Sequence, residues 1–470
     1  METYSDYDAV GLAELVRKGE VTPAELTDAA ITRIEKLNPT LNAVVIERFD
    51  EARAAAADLP DGPLKGVPFA LKDLSITVAG WPRTSGSRFC KDVVDGADSG
   101  LTTRYRASGV NLLGRTATSE FGIVGVTETA LYGPTRNPWN PDHTPGGSSG
   151  GAAAAVASGM LPMAHAMDGL GSIRIPAACC GLGGLKTTRD RVPDLPDGFD
   201  YAMGFDVGHV VSRTVRDTAL MLDLTGLPEP GAPYAPPPKT RPYMEEITRA
   251  PGRLKIAWSS AKRPIDPEIQ SVLEETAAVL EKLGHDVRPQ TLETNYAALY
   301  AARGPFSGAN FAAGIKRYIA KVGREPEEAD FERFTWSCLH GGRRVSGEDA
   351  AWSLQELRML NYGVVRFFED WDVYLTPVMG QLPPKIGYID SSTMSSREIN
   401  ARQSEVFPYT PPFNFAGLPS ISLPLGWSKS GLPIGMMFSA AYADEATLLR
   451  LAAQLEKEMP WKDRRPPIWA

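Results

Sequence analysis

The sequence predicts an α/β protein: one large domain over residues 1–470, with a central mixed, mostly parallel twisted sheet covered by helices on both sides. Two observations predict it. Helical and strand periodicities alternate along most of the chain, the pattern that crossovers between parallel strands leave in a sequence. A paired apolar run near the end, "PSISLPLGWSKSGLPIGMMFSAA" (419–441), reads as a buried hairpin that completes the same sheet and does not found a second core.

The elements follow in order. "VTPAELTDAAITRIEKLN" opens with Thr22 as N-cap, Pro23 at the first helical position and Glu25 placed to close a capping box. "LNAVVIE" is then a strand, residues 49–58 a short helix, and "GVPFALKD" a buried strand that ends on Lys72. The alternation continues with "SGLTTRYRASG" (helix), "VNLLGRT" (strand), residues 151–159 (helix) and "PMAHAM" (strand). It resumes with "RLKIAWS", the helix "PEIQSVLEETAAVLEKLGH" and the strand "VYLTP". Proline crowds out periodic structure over 227–243, which reads as a surface crossover and not as a domain boundary. The motif-bearing core falls in 60–190, and the less patterned segment of about 295–345 is the candidate pocket wall. Its aromatic residues Tyr296, Tyr300, Phe306, Phe311 and Trp336 are candidate lining, although each taken singly reads more readily as core packing.

Bulk composition narrows the function. Lysine and arginine number 49 against 57 acidic residues, so a net charge of -8 leaves no electrostatic footprint for nucleic acid or an anionic membrane. A small neutral or apolar partner is expected. The opening "METYSDYDAVGLAELVRKGE" lacks a signal-peptide pattern, and no apolar run approaches the roughly 18 residues of a membrane span. The cytoplasm is the expected compartment. Cys90, Cys179, Cys180 and Cys338 are too scattered for a disulfide framework and read as buried fillers. No zinc spacing such as H-E-x-x-H or C-x-x-C occurs, so neither a metal nor a cofactor is expected.

The stretch that demands a chemical reading is "TPGGSSGGAAAAVASGM" (144–160). Phosphate binding is the first option, yet "CGLGGLKTT" has Cys180 and Leu185 where a Walker loop needs glycines, and "GLGSIR" puts Arg174 at the third glycine of a dinucleotide fingerprint. A nucleophile elbow centred on Ser149 is the second, since Gly147 to Gly151 spell G-x-S-x-G. No strand precedes it, and His165, His209, His285 and His340, like His143, read as helix caps or surface residues. A serine hydrolase without histidine is the third. It needs a base, and a lysine serves only when burial or positive charge lowers its pKa. Lys72, closing a run apolar on both faces, meets that requirement. Downstream, "AMDGLGSIRIPA" sets Ser172 on a glycine-bearing turn between strand and helix, where successive backbone N–H groups outline an anion nest.

Together "GVPFALKD", "TPGGSSGG" and "DGLGSIRIPAACCGLGGLKTT" resemble the three landmarks of the amidase signature family, in order and with Ser148 and Ser172 standing 24 residues apart. "TRNPWN", "PPFNFAGLPSISLPLG" and "GLPIGMMFSAA" extend the resemblance over the whole chain, and with it the family's fold. The resemblance implies Ser172 as nucleophile, Ser148 as relay on a cis peptide after Gly147, and Lys72 as base. It implies the N–H groups of Gly169, Leu170, Gly171 and Ser172 as oxyanion donors, with Ser149, Asp168 and Arg174 as supporting residues. One departure stands out: Leu170 occupies a position that is commonly glycine in the family, and its N–H survives provided the site does not need positive φ.

The resemblance runs toward the 6-aminohexanoate cyclic-dimer hydrolases, aryl-amidases and urethanases. It implies a small-molecule amide or carbamate as substrate and a monomer or homodimer. Two rivals on the same scaffold are the amide-handling subunit of a tRNA-dependent amidotransferase and a catalytically silent binding protein.

Overall fold

The computed structural model describes residues 2–192, 204–227 and 229–470. The predicted first long helix is present as Pro23–Leu41, closed by its capping box: Glu25 N–H is donated to Thr22 Oγ1 (3.2 Å) and Thr22 N–H to Glu25 Oε2 (2.7 Å). Three early strands, β1 (Val44–Glu47), β2 (Pro68–Lys72) and β3 (Asn111–Thr116), form a small sheet in the order β1-β3-β2. The short β4 (Glu128–Thr129) and β5 (Gly133–Pro134) pair with each other.

The main sheet has eight strands: β6 (Met163–Asp168), β7 (Gly183–Lys186), β8 (Val207–Ser212), β9 (Lys255–Trp258), β10 (Asp286–Pro289), β11 (Val373–Pro377), β12 (Ser420–Trp427) and β13 (Pro433–Ala440). Their order is β10-β9-β11-β13-β12-β7-β8-β6. β6, β7, β8, β11 and β13 are buried at every position, so helices and loops cover both faces. The predicted hairpin β12–β13 lies in the middle of this sheet, where it joins strands from both halves of the chain. One contiguous apolar core runs from Tyr4 to Trp461.

The sheet is mixed, as expected, but it is not mostly parallel. Five of its seven neighbouring pairs are antiparallel, and only β10–β9 and β9–β11 are parallel there. The alternation of helix and strand reports how successive strands connect, not which strands become neighbours. The inserted hairpin necessarily creates an antiparallel pair inside itself, and both of its outer neighbours also run against it.

Residues 229–242 contain neither helix nor strand, and none of them is buried. The segment 295–345 is more regular than its sequence suggested. It carries the helix Tyr296–Val322 and the helix Arg333–Gly342. Among the described residues no helix is long and apolar enough to cross a membrane.

The histidine reading needs correction. His165 and His209 lie fully buried on β6 and β8, and His285 is buried with its Nδ1 accepting Leu254 N–H (3.1 Å). Gly208 on the neighbouring strand β8 faces the His165 ring, a Cβ there standing 3.5 Å from His165 Nε2, so the absent side chain leaves room for the imidazole. His340, exposed in the last turn of its helix, fits the simpler expectation. Cys90, Cys179 and Cys180 are buried free thiols, whereas Cys338 is only half-buried.

Candidate active site

β2 lies alongside β6 at the seam where the two sheets meet, and the candidate residues Lys72 and Asp168 end these two strands. Lys72 ends β2 with its backbone N–H donated to His165 Nδ1 on β6 (3.2 Å). Burial, followed by the cations Lys72 and Arg115, lowers the His165 pKa well below the ordinary histidine value. A neutral imidazole accepting at Nδ1 carries its proton on Nε2. His165 therefore fastens the strand that bears Lys72 and adds no charge beside it.

The Lys72 ammonium nitrogen is buried and donates to Ser148 Oγ at 2.6 Å. Burial pushes the lysine pKa down to about 7, against the opposing pull of Asp168 and Asp206. Near neutral pH a large fraction of it is a free amine. Ser148 follows a cis peptide bond from Gly147. A side chain at Gly147 would stand 2.6 Å from the Val126 backbone, so the loop packs too closely there for any residue but glycine. Thr127 Oγ1 donates to Gly146 O (2.9 Å) and accepts Gly150 N–H (3.0 Å), holding the loop from one side. Ser149 holds it from the other, donating its hydroxyl to Met167 O (3.2 Å) and accepting Met167 N–H (3.3 Å).

Asp168, the last residue of β6, organises the turn that follows. Its Oδ1 accepts Gly171 N–H at 2.6 Å, and Oδ2 accepts Ile173 N–H at 3.2 Å, so the carboxylate grips the chain on either side of Ser172. Burial alone would raise its pKa, but the Arg174 guanidinium and the Asn414 amide outweigh burial and hold it well below the usual carboxylate range. Arg174 meets both oxygens at 2.9 Å, and Asn414 Nδ2 donates to Asp168 O (3.0 Å) and Oδ1 (2.9 Å). Removing the charge by Asp168→Asn leaves a buried guanidinium unpaired. The expected cost is about 3–5 kcal/mol of stability, read from the urea midpoint.

Ser172 is half-buried at the mouth of this turn, ahead of the helix Arg174–Cys180. Of residues 169–172 only Gly171 takes a positive φ (+133°), so Leu170 keeps an ordinary backbone. Gly171 differs from expectation in another respect. Its N–H is committed to Asp168, which leaves the N–H groups of Gly169, Leu170 and Ser172 without a partner among the described residues. The role of Gly171 is conformational: a Cβ there would stand 2.4 Å from Thr410 Oγ1. Thr410 also donates that hydroxyl to Leu170 O at 2.5 Å and so buttresses the turn.

Sequence reasoning missed Thr410 and Asn414. Asn414 lies in the quoted run "PPFNFAG", where a polar residue between two buried phenylalanines was the available signal. Lys186 has its pKa pushed down to about 7 by burial and by Arg174, as Lys72 has by burial. Geometry separates the two, because Lys186 Nζ donates to Thr187 O (2.8 Å) and meets no serine. Among the pocket candidates, Phe306 packs with Phe205 and Phe415 in a cluster that Leu170 joins. Phe311 packs on Phe121, and Trp336 borders the same group. Among the described residues no group of histidine, cysteine or acidic side chains is arranged to hold a metal ion.

The amidase family model matches residues 25–449. The chain belongs to the amidase family. This amidase-family chain is 37% identical to the 6-aminohexanoate-cyclic-dimer hydrolase of Paenarthrobacter ureafaciens, over 98% of its own length and 96% of the relative's. A solved structure of 6-aminohexanoate cyclic dimer hydrolase complexed with substrate superposes with a TM-score of 0.92 at 35% identity, covering 100% of both chains. A bacterial aryl acylamidase of the amidase signature family superposes at 0.88 with 28% identity, covering 97% of this chain and 96% of that one. Membership makes the chain an enzyme that hydrolyses carbon–nitrogen bonds of amides.

Proposed function

We propose that this amidase works through an acyl-enzyme on Ser172, with Ser148 as relay and Lys72 as base. The observation that carries the reading is the buried lysine, with its pKa near 7, held 2.6 Å from a serine hydroxyl. In the first half-reaction neutral Lys72 takes the Ser148 proton as Ser148 takes the Ser172 proton, and Ser172 Oγ bonds to the carbonyl carbon. The developing oxyanion is met by the N–H groups of Gly169, Leu170 and Ser172. The carbon–nitrogen bond then breaks while the relay returns a proton to the leaving nitrogen. Water, deprotonated through the same serine and lysine, frees the acid and restores Ser172.

The substrates proposed are small amides, with cyclic amides, anilides and carbamates as the classes to compare, and the cytoplasm as the place of action. A liquid-chromatography screen of these classes, run with no glutamine or tRNA present, tests the reading. Turnover of simple amides by the isolated chain supports a free-standing hydrolase; turnover only with added partner subunits assigns it to an amidotransferase. Rate also has a predicted pH dependence. Because the base must be unprotonated, kcat/KM rises from pH 6 through a midpoint near 7 and levels off above about 8. A profile falling steadily from pH 6 to 9 on stable enzyme contradicts the lysine base.

A further inference from the structure

Two half-buried arginines, one on the helix Tyr296–Val322 and one stacked against it, stand without an acid. Arg303 lies on the helix Tyr296–Val322, four residues after Leu299 and three before Phe306, hence on the face whose Leu299 and Phe306 share a cluster with Leu170. Arg263, in the loop after β9, lays its guanidinium over the Tyr296 ring, 4.0 Å from the centroid. Among the described residues neither guanidinium forms an ion pair or a hydrogen bond. The chain does not lack acids, with 57 of them. Among the described residues the buried arginines all have partners: Arg83 and Arg115 pair with Asp95, Arg174 with Asp168 and Arg191 with Glu445, while Arg213 donates to the carbonyls of Ser5 and Tyr7.

The two cations share surroundings. Tyr296, Tyr300 and Arg303 follow at i, i+4 and i+7 on one helix face, and Arg263 is tied to Tyr409 through Ser260 O, which accepts both Arg263 N–H (3.1 Å) and the Tyr409 hydroxyl (3.1 Å). Tyr409 adjoins Thr410, whose hydroxyl is bonded to Leu170 O, two residues before Ser172. All four of Arg263, Tyr296, Tyr300 and Arg303 are half-buried, so both guanidinium groups are partly withdrawn from water. Burial pulls the Arg303 guanidinium down from its ordinary value, with only Tyr300 and Cys338 opposing. Two neighbouring cations, partly desolvated and without a counterion, lower stability and are relieved by an anion between them. A guanidinium fork on an apolar and aromatic wall suits a planar carboxylate.

We propose that Arg263 and Arg303 form a carboxylate subsite, and that this enzyme selects amide substrates bearing a free carboxylate. The inference rests on the reading of Ser172 as the reacting centre. Matched pairs test it: glutaric acid mono-4-nitroanilide against hexanoyl-4-nitroanilide places the acid on the acyl part, and N-hexanoylglycine against N-hexanoylpropylamine places it on the amine part. In at least one pair the acid-bearing member is expected to have kcat/KM about tenfold or more above its neutral partner, gained mainly in KM. The ratio within that pair falls toward one in Arg303→Met and Arg263→Met, and the favoured pair tells which side of the amide carries the acid. Calorimetric titration of wild-type enzyme with hexanoate and with hexanamide reads the subsite without turnover, with hexanoate expected to bind about tenfold tighter. No preference in either pair, or hexanoate binding no tighter than hexanamide, overturns the subsite. Failure to cleave any amide overturns the serine-hydrolase reading instead, and the titration still decides the subsite.

Discussion

Ser172→Ala is expected to lower kcat/KM on every amide by at least about 10⁴-fold, since in the proposed mechanism it removes the atom that bonds to the carbonyl and leaves only binding and the backbone donors. The fold should be unaffected, because the side chain is half-buried and the turn is held by Asp168 through backbone N–H groups, not through the serine hydroxyl. Ser149→Ala is the informative comparison. It removes the hydroxyl that ties the loop to Met167, so it is expected to slow the enzyme by far less than Ser172→Ala. Steady-state kinetics on one anilide checks both. Activity kept in Ser172→Ala and lost in Ser149→Ala would move the nucleophile to the G-x-S-x-G stretch.

Lys72→Met is expected to act in opposite directions on activity and stability. The proposed general base is lost, so kcat/KM is expected to fall by about 10²–10⁴-fold and the limb near pH 7 to disappear from the profile. Stability has the other sign. The folded lysine has a pKa of about 7 against an ordinary 10.5, so between those values the unfolded chain holds more protons than the folded one. Stability therefore rises with pH across that window, and the burial of Lys72 is a net cost at pH 7. Methionine fills similar space without a charge to desolvate. The urea midpoint of Lys72→Met is expected to exceed that of the wild type at pH 7, by a margin that shrinks toward pH 10. An unchanged or lower midpoint at pH 7 contradicts a destabilising buried amine.

Much of the site was legible because its chemistry leaves local marks. A lysine ending a strand apolar on both faces, and two serines in glycine-rich turns, announce Lys72, Ser148 and Ser172 by position. The first helix, the strand Val373–Pro377 and the hairpin β12–β13 were equally local, set by a capping box and by apolar runs of strand length. What was not legible is long-range. Where the hairpin inserts decides the direction of its neighbours, and no periodicity encodes it. Asn414 and Thr410 act on a turn more than 200 residues away, and His165 looks like any strand residue until β2 is laid beside it. The donor status of Gly171 could not be read either, because it depends on how the Asp168 carboxylate folds back over the turn.

The seam between the sheets gathers the residues of the proposed mechanism. β2 brings the lysine and β6 brings Asp168 and the turn, while the serine loop is fastened to β6 through Ser149. Each partner is held by groups that are themselves buried and bonded, which limits rotamer freedom at the reacting atoms.

The most direct test is inactivation of wild-type enzyme by a fluorophosphonate, with the rate constant measured from pH 6 to 9 and the adduct located by peptide mass spectrometry. A single adduct on Ser172, forming at a rate that climbs through a midpoint near pH 7, is the predicted result. An adduct on another serine, or a Ser172 adduct whose rate ignores pH, would contradict the lysine-driven relay.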